Sequence, residues 1–130
     1  MRLLLDTHVA IWAVTGSKRL NSTIKSLLAD LDNDVLFSVA SLWEIAIKHA
    51  LPKRAGSPPF GAAEGAALFE EAGFGMLSVR VEHILALERL APYHADPFDR
   101  LIAAQAQSEA LRIVTADPHV AAYAPDAITF

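Results

Sequence analysis

The chain opens on three leucines, "RLLL" at residues 2–5, that stop at Asp6, and short apolar runs alternate with longer periodic ones from there to its end. Four or five consecutive apolar residues read as a buried strand, whereas apolar residues three and four apart mark one face of a helix. Residues 2–5 are therefore a strand and "THVAIWAV" a helix closed by Gly16-Ser17. Leu20, Ile24, Leu27, Leu28 and Leu31 predict an amphipathic helix over residues 18–31. The polar turn "DND" leads into "VLFSV", rich enough in β-branched and aromatic residues for a strand. A mostly apolar helix, expected to be largely buried, runs from Ser38 or Ser41 to Ala50. "LPKRAGSPPFG" has the proline and glycine content of a loop. Then follow a weaker helix in "AAEGAALFEEAG", a short strand in "GMLSV", and a helix in "VEHILALERL" with Ile84, Leu85 and Leu87 inward. A helix from Pro97 to about Ala110, the strand "RIVT" at 112–115, a short helix in "DPHVAAY" and a last strand in "AITF" complete the order.

Strands that alternate with helices, and are apolar without a polar face, predict an α/β fold with a parallel sheet covered on both sides. The 130 residues suit one domain spanning 1–130, and a hydrophobic content of 53% is ample for a core. No apolar run approaches the roughly 20 residues of a membrane span. Asp6 and His8 interrupt the basic-then-apolar start, and no small-residue cleavage site follows, so this segment is read as structure rather than as a secretion signal. Without cysteine there is neither a disulfide nor a thiolate metal site, which suits a cytoplasmic protein. A net charge of −4 leaves no general basic footprint for nucleic acid, so such a partner needs a local basic patch or bound metal ions. "KHALPKR" at 48–54 is the one basic concentration, and in isolation its first reading is a solvated helix end and loop.

In parallel sheets ligands gather beyond the carboxyl ends of the strands, near the point where strand order reverses. Asp6 ends the first strand, Asp117 lies two residues past "RIVT", Glu44 sits on the helix after the second strand, and Asp99 opens the helix before "RIVT". Doubly wound strands would turn all four toward one edge. Each has an ordinary alternative. Asp6 and Asp117 are natural helix caps, Asp96 is an N-cap ahead of Pro97, and Asp99 lies in a first turn where the helix dipole favours an anion. Glu44 has Lys48 four residues on for a surface pair. Yet Glu44 stands among apolar residues in "SVASLWEIAIK", where a carboxylate is costly without a cation or hydrogen-bond partner. Clustered carboxylates raise one another's pKa, and a hard divalent cation relieves them. An acidic cluster without a lysine-bearing phosphate loop points to metal-dependent phosphodiester cleavage.

"LLLDTHVAIW", "SVASLWEIAIK", "HADPFDRLIAAQA" and "VTADPHV", in this order and spacing, resemble the PIN-domain family, and more narrowly the VapC-type toxins of bacterial type II toxin–antitoxin pairs. The resemblance covers essentially the whole chain. It implies a three-layer α/β/α fold and a Mg2+- or Mn2+-dependent endoribonuclease that hydrolyses RNA with a metal-activated water, leaving a 5′-phosphate and a 3′-hydroxyl. A cognate VapB-like antitoxin and a homodimer are implied too. Asp6, Glu44, Asp99 and the more variable Asp117 match the family's four metal-binding acids. Asp96 belongs to the "DPFDR" form of the motif and is assigned first to capping, with support of the metal-binding acids as a second role. Thr7 and Thr115 flank the acids, placed to orient a carboxylate or a water, with a turn or cap role as the alternative.

Lys48, Lys53, Arg54 and Arg100 are the candidate RNA phosphate contacts. Trp12, Trp43 and Phe60 are candidates for an antitoxin surface, with core packing the expected fate of the two tryptophans. His49, His83 and His119 are read as surface or interface residues, His8 as pointing onto the next helix turn, and His94 as neighbouring the "DPFDR" start. A receiver-like signalling domain would want paired acids near the start and a late lysine, and the chain has neither. A catalytically silent PIN-like module that binds RNA or protein stays open as the alternative.

Overall fold

A computed structural model of the protein describes residues 1–130. Five strands, Arg2–Leu5 (β1), Asp34–Ser38 (β2), Gly75–Leu77 (β3), Arg112–Thr115 (β4) and Ile128–Thr129 (β5), pair in the order β3-β2-β1-β4-β5. All pairs are parallel. The helices are Thr7–Thr15 (α1), Ser22–Ala29 (α2), Val39–His49 (α3), Ala62–Glu71 (α4), Val81–Glu88 (α5), Pro97–Ser108 (α6) and Pro118–Ala121 (α7). The chain winds outward from β1 to β3 on one side and from β4 to β5 on the other. Strand order therefore reverses between β1 and β4, which leaves a crevice beyond their carboxyl ends.

Alternation along each strand builds two cores. Leu3, Leu5, Val35, Phe37 and Val114 face Val9, Ile24 and Phe69 of α1, α2 and α4. Leu4 and Ile113 face the other way, against Leu101, Ile102 and Ala106 of α6 and Val120 of α7. The sheet is buried on both faces, as its continuously apolar strands require. No helix is long and apolar enough to cross a membrane.

Four expectations are corrected. The helix predicted over 18–31 spans only Ser22–Ala29: Asn21 caps its start, and at Asp30 the chain turns extended toward β2, leaving Leu31 99% exposed. On α5 the inward residue is His83, fully buried, whereas Ile84 and Leu85 face out and Leu87 is half-buried. A histidine can take that place because its ring is satisfied there. Nδ1 accepts the Arg80 N–H at 3.0 Å, and Nε2 lies 2.8 Å from Glu109. Helix α3 is less buried than its composition predicts, with Trp43 packed edge-on against Phe98 yet 53% exposed. Phe60, proposed for a surface, packs in the first core beside Phe69.

Candidate active site

Asp6 occupies the turn between β1 and α1, and its two carboxylate oxygens do different things. Oδ1 accepts the Val9 N–H at 2.9 Å, capping α1, while Oδ2 accepts the Thr115 hydroxyl at the end of β4. The same threonine oxygen accepts the Asp117 N–H at 3.0 Å, so one hydroxyl ties Asp6 to the turn that carries Asp117. Thr7 meets Ser41 of α3 at 2.9 Å, fastening α1 one turn ahead of Glu44. Burial raises the Asp6 pKa, Thr115 and Val9 oppose the shift, and the nearby Glu44 charge adds to it.

Glu44 is 2% exposed. Its Oε2 pairs with Lys48 on the next turn of α3, but Oε1 has no hydrogen-bond partner. Burial works to lower the Lys48 pKa, but the hydrogen bond and charge of Glu44, with Asp96 and Asp99 beyond, leave it raised.

Asp96 is the N-cap of α6, its Oδ1 accepting the N–H groups of Phe98 at 2.8 Å and Asp99 at 3.1 Å. That cap turns Asp99 into the site from the first turn of α6. Burial, then the charges of Asp96, Glu44 and Asp6, push the Asp99 pKa up to about 7, with His94 acting the other way. The His94 Nε2 lies 2.8 Å from Asp99 Oδ2 and 3.3 Å from Asp117 Oδ2. Its Nδ1 accepts the Asp96 N–H at 3.4 Å, which leaves Nε2 to hydrogen-bond Asp99 with Asp117 close by.

The four acids singled out from the sequence thus meet at one sheet edge, Asp6 and Asp117 flanking the reversal point. The charges of Glu44 and Asp6 act on Asp99, and the unpartnered Glu44 oxygen is buried among them, a carboxylate chemistry that suits a hard divalent cation. A nitrogen joins the oxygens in one trio, since His94, Asp99 and Asp117 each offer a donor within 4.8 Å of the others. His94 is the residue that sequence reasoning undervalued. Its helix-capping surroundings explained the segment, and nothing in the pattern placed it against Asp117, 23 positions on.

The cationic candidates separate. Lys48 and Arg54 line a cleft of about 210 Å3 with His8, Gly56 and Ser57. Lys53 is exposed and reaches back to the His49 carbonyl at 3.4 Å. The Arg100 guanidinium is committed to the Ala91 carbonyl and the Tyr123 hydroxyl, each at 3.0 Å, so it holds the approach to α6 in place. A second cleft of about 200 Å3 is lined by Asp6, His8, Trp12, Arg19 and Asp117.

The family model described as the PIN domain matches residues 3–125, from within the first strand to the turn ahead of the last. The chain belongs to the PIN-domain family. No curated protein matches it in sequence. In structure this PIN domain is similar to VapBC2 of Rickettsia felis, crystallised with a DNA fragment from the promoter of the pair. That match has a TM-score of 0.69 at 17% identity and covers 100% of this chain and 98% of that one. VapBC-1 of nontypeable Haemophilus influenzae matches with a TM-score of 0.67 at 17% identity, covering 100% and 97%. VapBC-5 of Mycobacterium tuberculosis, a member of the VapBC family of toxin–antitoxin systems, matches at 0.61 and 23% identity, covering 99% and 95%. At these identities the likeness is one of fold. It agrees with the three-layer arrangement and the order of elements in this PIN domain.

Proposed function

We propose that this PIN domain, a single domain over residues 1–130, is a metal-dependent endoribonuclease and the toxin of a VapBC-type toxin–antitoxin pair. The observation that carries the reading is the unpartnered Glu44 Oε1, a carboxylate oxygen buried beside Asp6 and Asp99. A buried charge among like charges is retained against its desolvation cost when something opposite in charge meets it. In this reading Asp6, Glu44, Asp99 and Asp117 hold one or two Mg2+ or Mn2+ ions. The chemistry such an ion supplies is activation of water at neutral pH and neutralisation of charge building on the phosphate.

The protein's own groups do the rest. Thr115 fixes one Asp6 oxygen and the Val9 N–H the other, so the carboxylate cannot swing away from the edge. His94 holds Asp99 through Nε2 and lies beside Asp117. Thr7 and Ser41 hold α3 against α1 and so set the depth of Glu44. Lys48, Lys53 and Arg54 offer cations to the RNA backbone on the side of the α3–α4 loop, with Arg100 bracing the site from behind. The similarity to toxin–antitoxin complexes supports a VapB-like antitoxin, and the reading adds a homodimer acting in the cytoplasm. The exposed Trp43 and Ile47 on α3 with Leu51 just past its end, and Val81, Ile84 and Leu85 on α5, are apolar faces fit for such protein partners.

Purified, antitoxin-free protein is expected to cut total cellular RNA into discrete fragments in Mg2+ or Mn2+. The fragments should vanish with chelator and in Asp6→Asn. RNA left equally intact by wild type and by a folded Asp6→Asn would replace the nuclease reading with that of a silent binding module.

A further inference from the structure

Arg19 is exposed and makes no ion pair, yet its guanidinium is not loose. It lies 4.7 Å over the Trp12 ring, a cation held by an aromatic face instead of a carboxylate. Trp12 in turn is braced by the edge of Phe130, 6.2 Å away at 77°, and by the tilted His8 ring at 5.9 Å. Arg19, Trp12 and His8 wall the 200 Å3 cleft that Asp6 and Asp117 also line.

We infer that this cleft is the binding subsite for a nucleotide adjoining the cleaved phosphodiester of a single-stranded RNA, with Arg19 as its phosphate contact and the His8–Trp12 wall against its base. The inference rests on the nuclease reading above and adds residues that reading does not use. Three features argue for it. An arginine stacked on a ring keeps its N–H fork in one plane and unspent, which suits an anionic oxygen and spares much of the ordering cost a free side chain meets on binding. A polyanion approaching four carboxylates on a protein of net charge −4 needs cations beside the acids. Arg19 lines the cleft that holds Asp6, and Lys48 with Arg54 lines the cleft that shares His8 with it. A strand running from one cleft into the other past His8 would meet a cation in each. Aromatic rings interleaved with cations are the usual means of holding unpaired bases, which offer a face that duplex does not.

The test is binding of a short, labelled, mixed-sequence single-stranded RNA, followed by fluorescence anisotropy in Ca2+. The RNA is checked for integrity on a gel, and salt is varied from about 50 to 200 mM. Arg19→Gln is expected to weaken binding about tenfold and to lower the salt slope by about one phosphate contact. Arg19→Lys should restore the slope but not the whole affinity, because the ammonium lacks the stacked plane. Arg89→Gln, altered in a distant cleft lined by Glu82 and Gln107, should change neither. Duplex RNA of the same sequence should compete poorly. If wild type binds RNA with salt dependence and folded Arg19→Gln binds it equally, the subsite is overturned and the nuclease reading stands. Duplex competing as well as single strand likewise overturns the subsite. If wild type binds no RNA in Ca2+ or Mg2+, the nuclease reading falls and the subsite with it.

Discussion

Glu44 shows how one side chain carries the chemistry of the site. Its ion pair with Lys48 satisfies one oxygen from within α3, so the energetic weight of the metal-free site falls on the other. Lys48→Met leaves the carboxylate buried with no cation at all. Breaking such a pair is costly, and the partial exposure of Lys48 reduces the effect, so a loss of about 1–3 kcal/mol is expected in chelator. Divalent metal should return part of that loss, read by urea unfolding with and without Mg2+. Asp99 makes a pH argument of known sign. Unfolded, it ionises near 3.8; folded, near 7, mainly because it is buried and then because Asp96, Glu44 and Asp6 surround it. Between those values the folded state holds the extra proton, so metal-free stability falls as pH rises through that window, and the raised Asp6 pKa acts in the same direction. Asp99→Asn should flatten this slope and stabilise the metal-free protein at pH 8 by up to a few kcal/mol. An unchanged slope in that variant would remove Asp99 as its source.

At the scale of elements, the caps place the acids. Asp6, Asp96 and Asp117 each cap the helix that follows, and Pro97 and Pro118 start α6 and α7 where a missing N–H does no harm. The other end of α6 is less comfortable. It closes with the Leu111 N–H on the Ala106 carbonyl at 2.9 Å, which puts Ala110 in the left-handed region at φ 54°. A side chain there costs about 1 kcal/mol, so Ala110→Gly should raise stability by about that amount, seen as a higher thermal midpoint with RNA cleavage unaltered. The α5–α6 pairing depends on polar atoms as well. Buried Gln105 bonds Ser38 on β2 and the Ser78 carbonyl, and touches His83 at 3.3 Å. Ser38 also caps α3, so this network links α6, which carries Asp99, to α3, which carries Glu44.

For the whole molecule, the proposed metal has a consequence for stability. With the acids at one crevice and few cations beside them, the folded state gains when a divalent ion binds there and the unfolded state does not. At about a hundredfold over its dissociation constant, a single ion adds about 2.7 kcal/mol. Mg2+ or Mn2+ should therefore raise the thermal midpoint in proportion to the logarithm of free metal, and Asp6→Asn should abolish most of the rise. A midpoint indifferent to both ions would count against metal at this edge.

The sequence by itself determined the element order, the parallel sheet and the acids worth watching. Apolar runs, helical spacing and Asp-Pro starts are properties of neighbouring residues, and they act before any distant contact forms. It also marked Glu44 as anomalous, since a carboxylate amid apolar residues stands out in one dimension. Tertiary structure alone decided which faces turn inward. His83 displaced Ile84 and Leu85 because Glu109 and Gln105, more than 20 residues on, satisfy its ring, and α2 stopped short because the chain had to enter β2. It also decided that His94 lies between Asp99 and Asp117, that Thr115 joins Asp6, and that Arg19 lies on Trp12. The Thr115–Asp6 contact arises from β1 and β4 lying side by side across more than 100 residues of chain, and local pattern carries no record of which strands become neighbours.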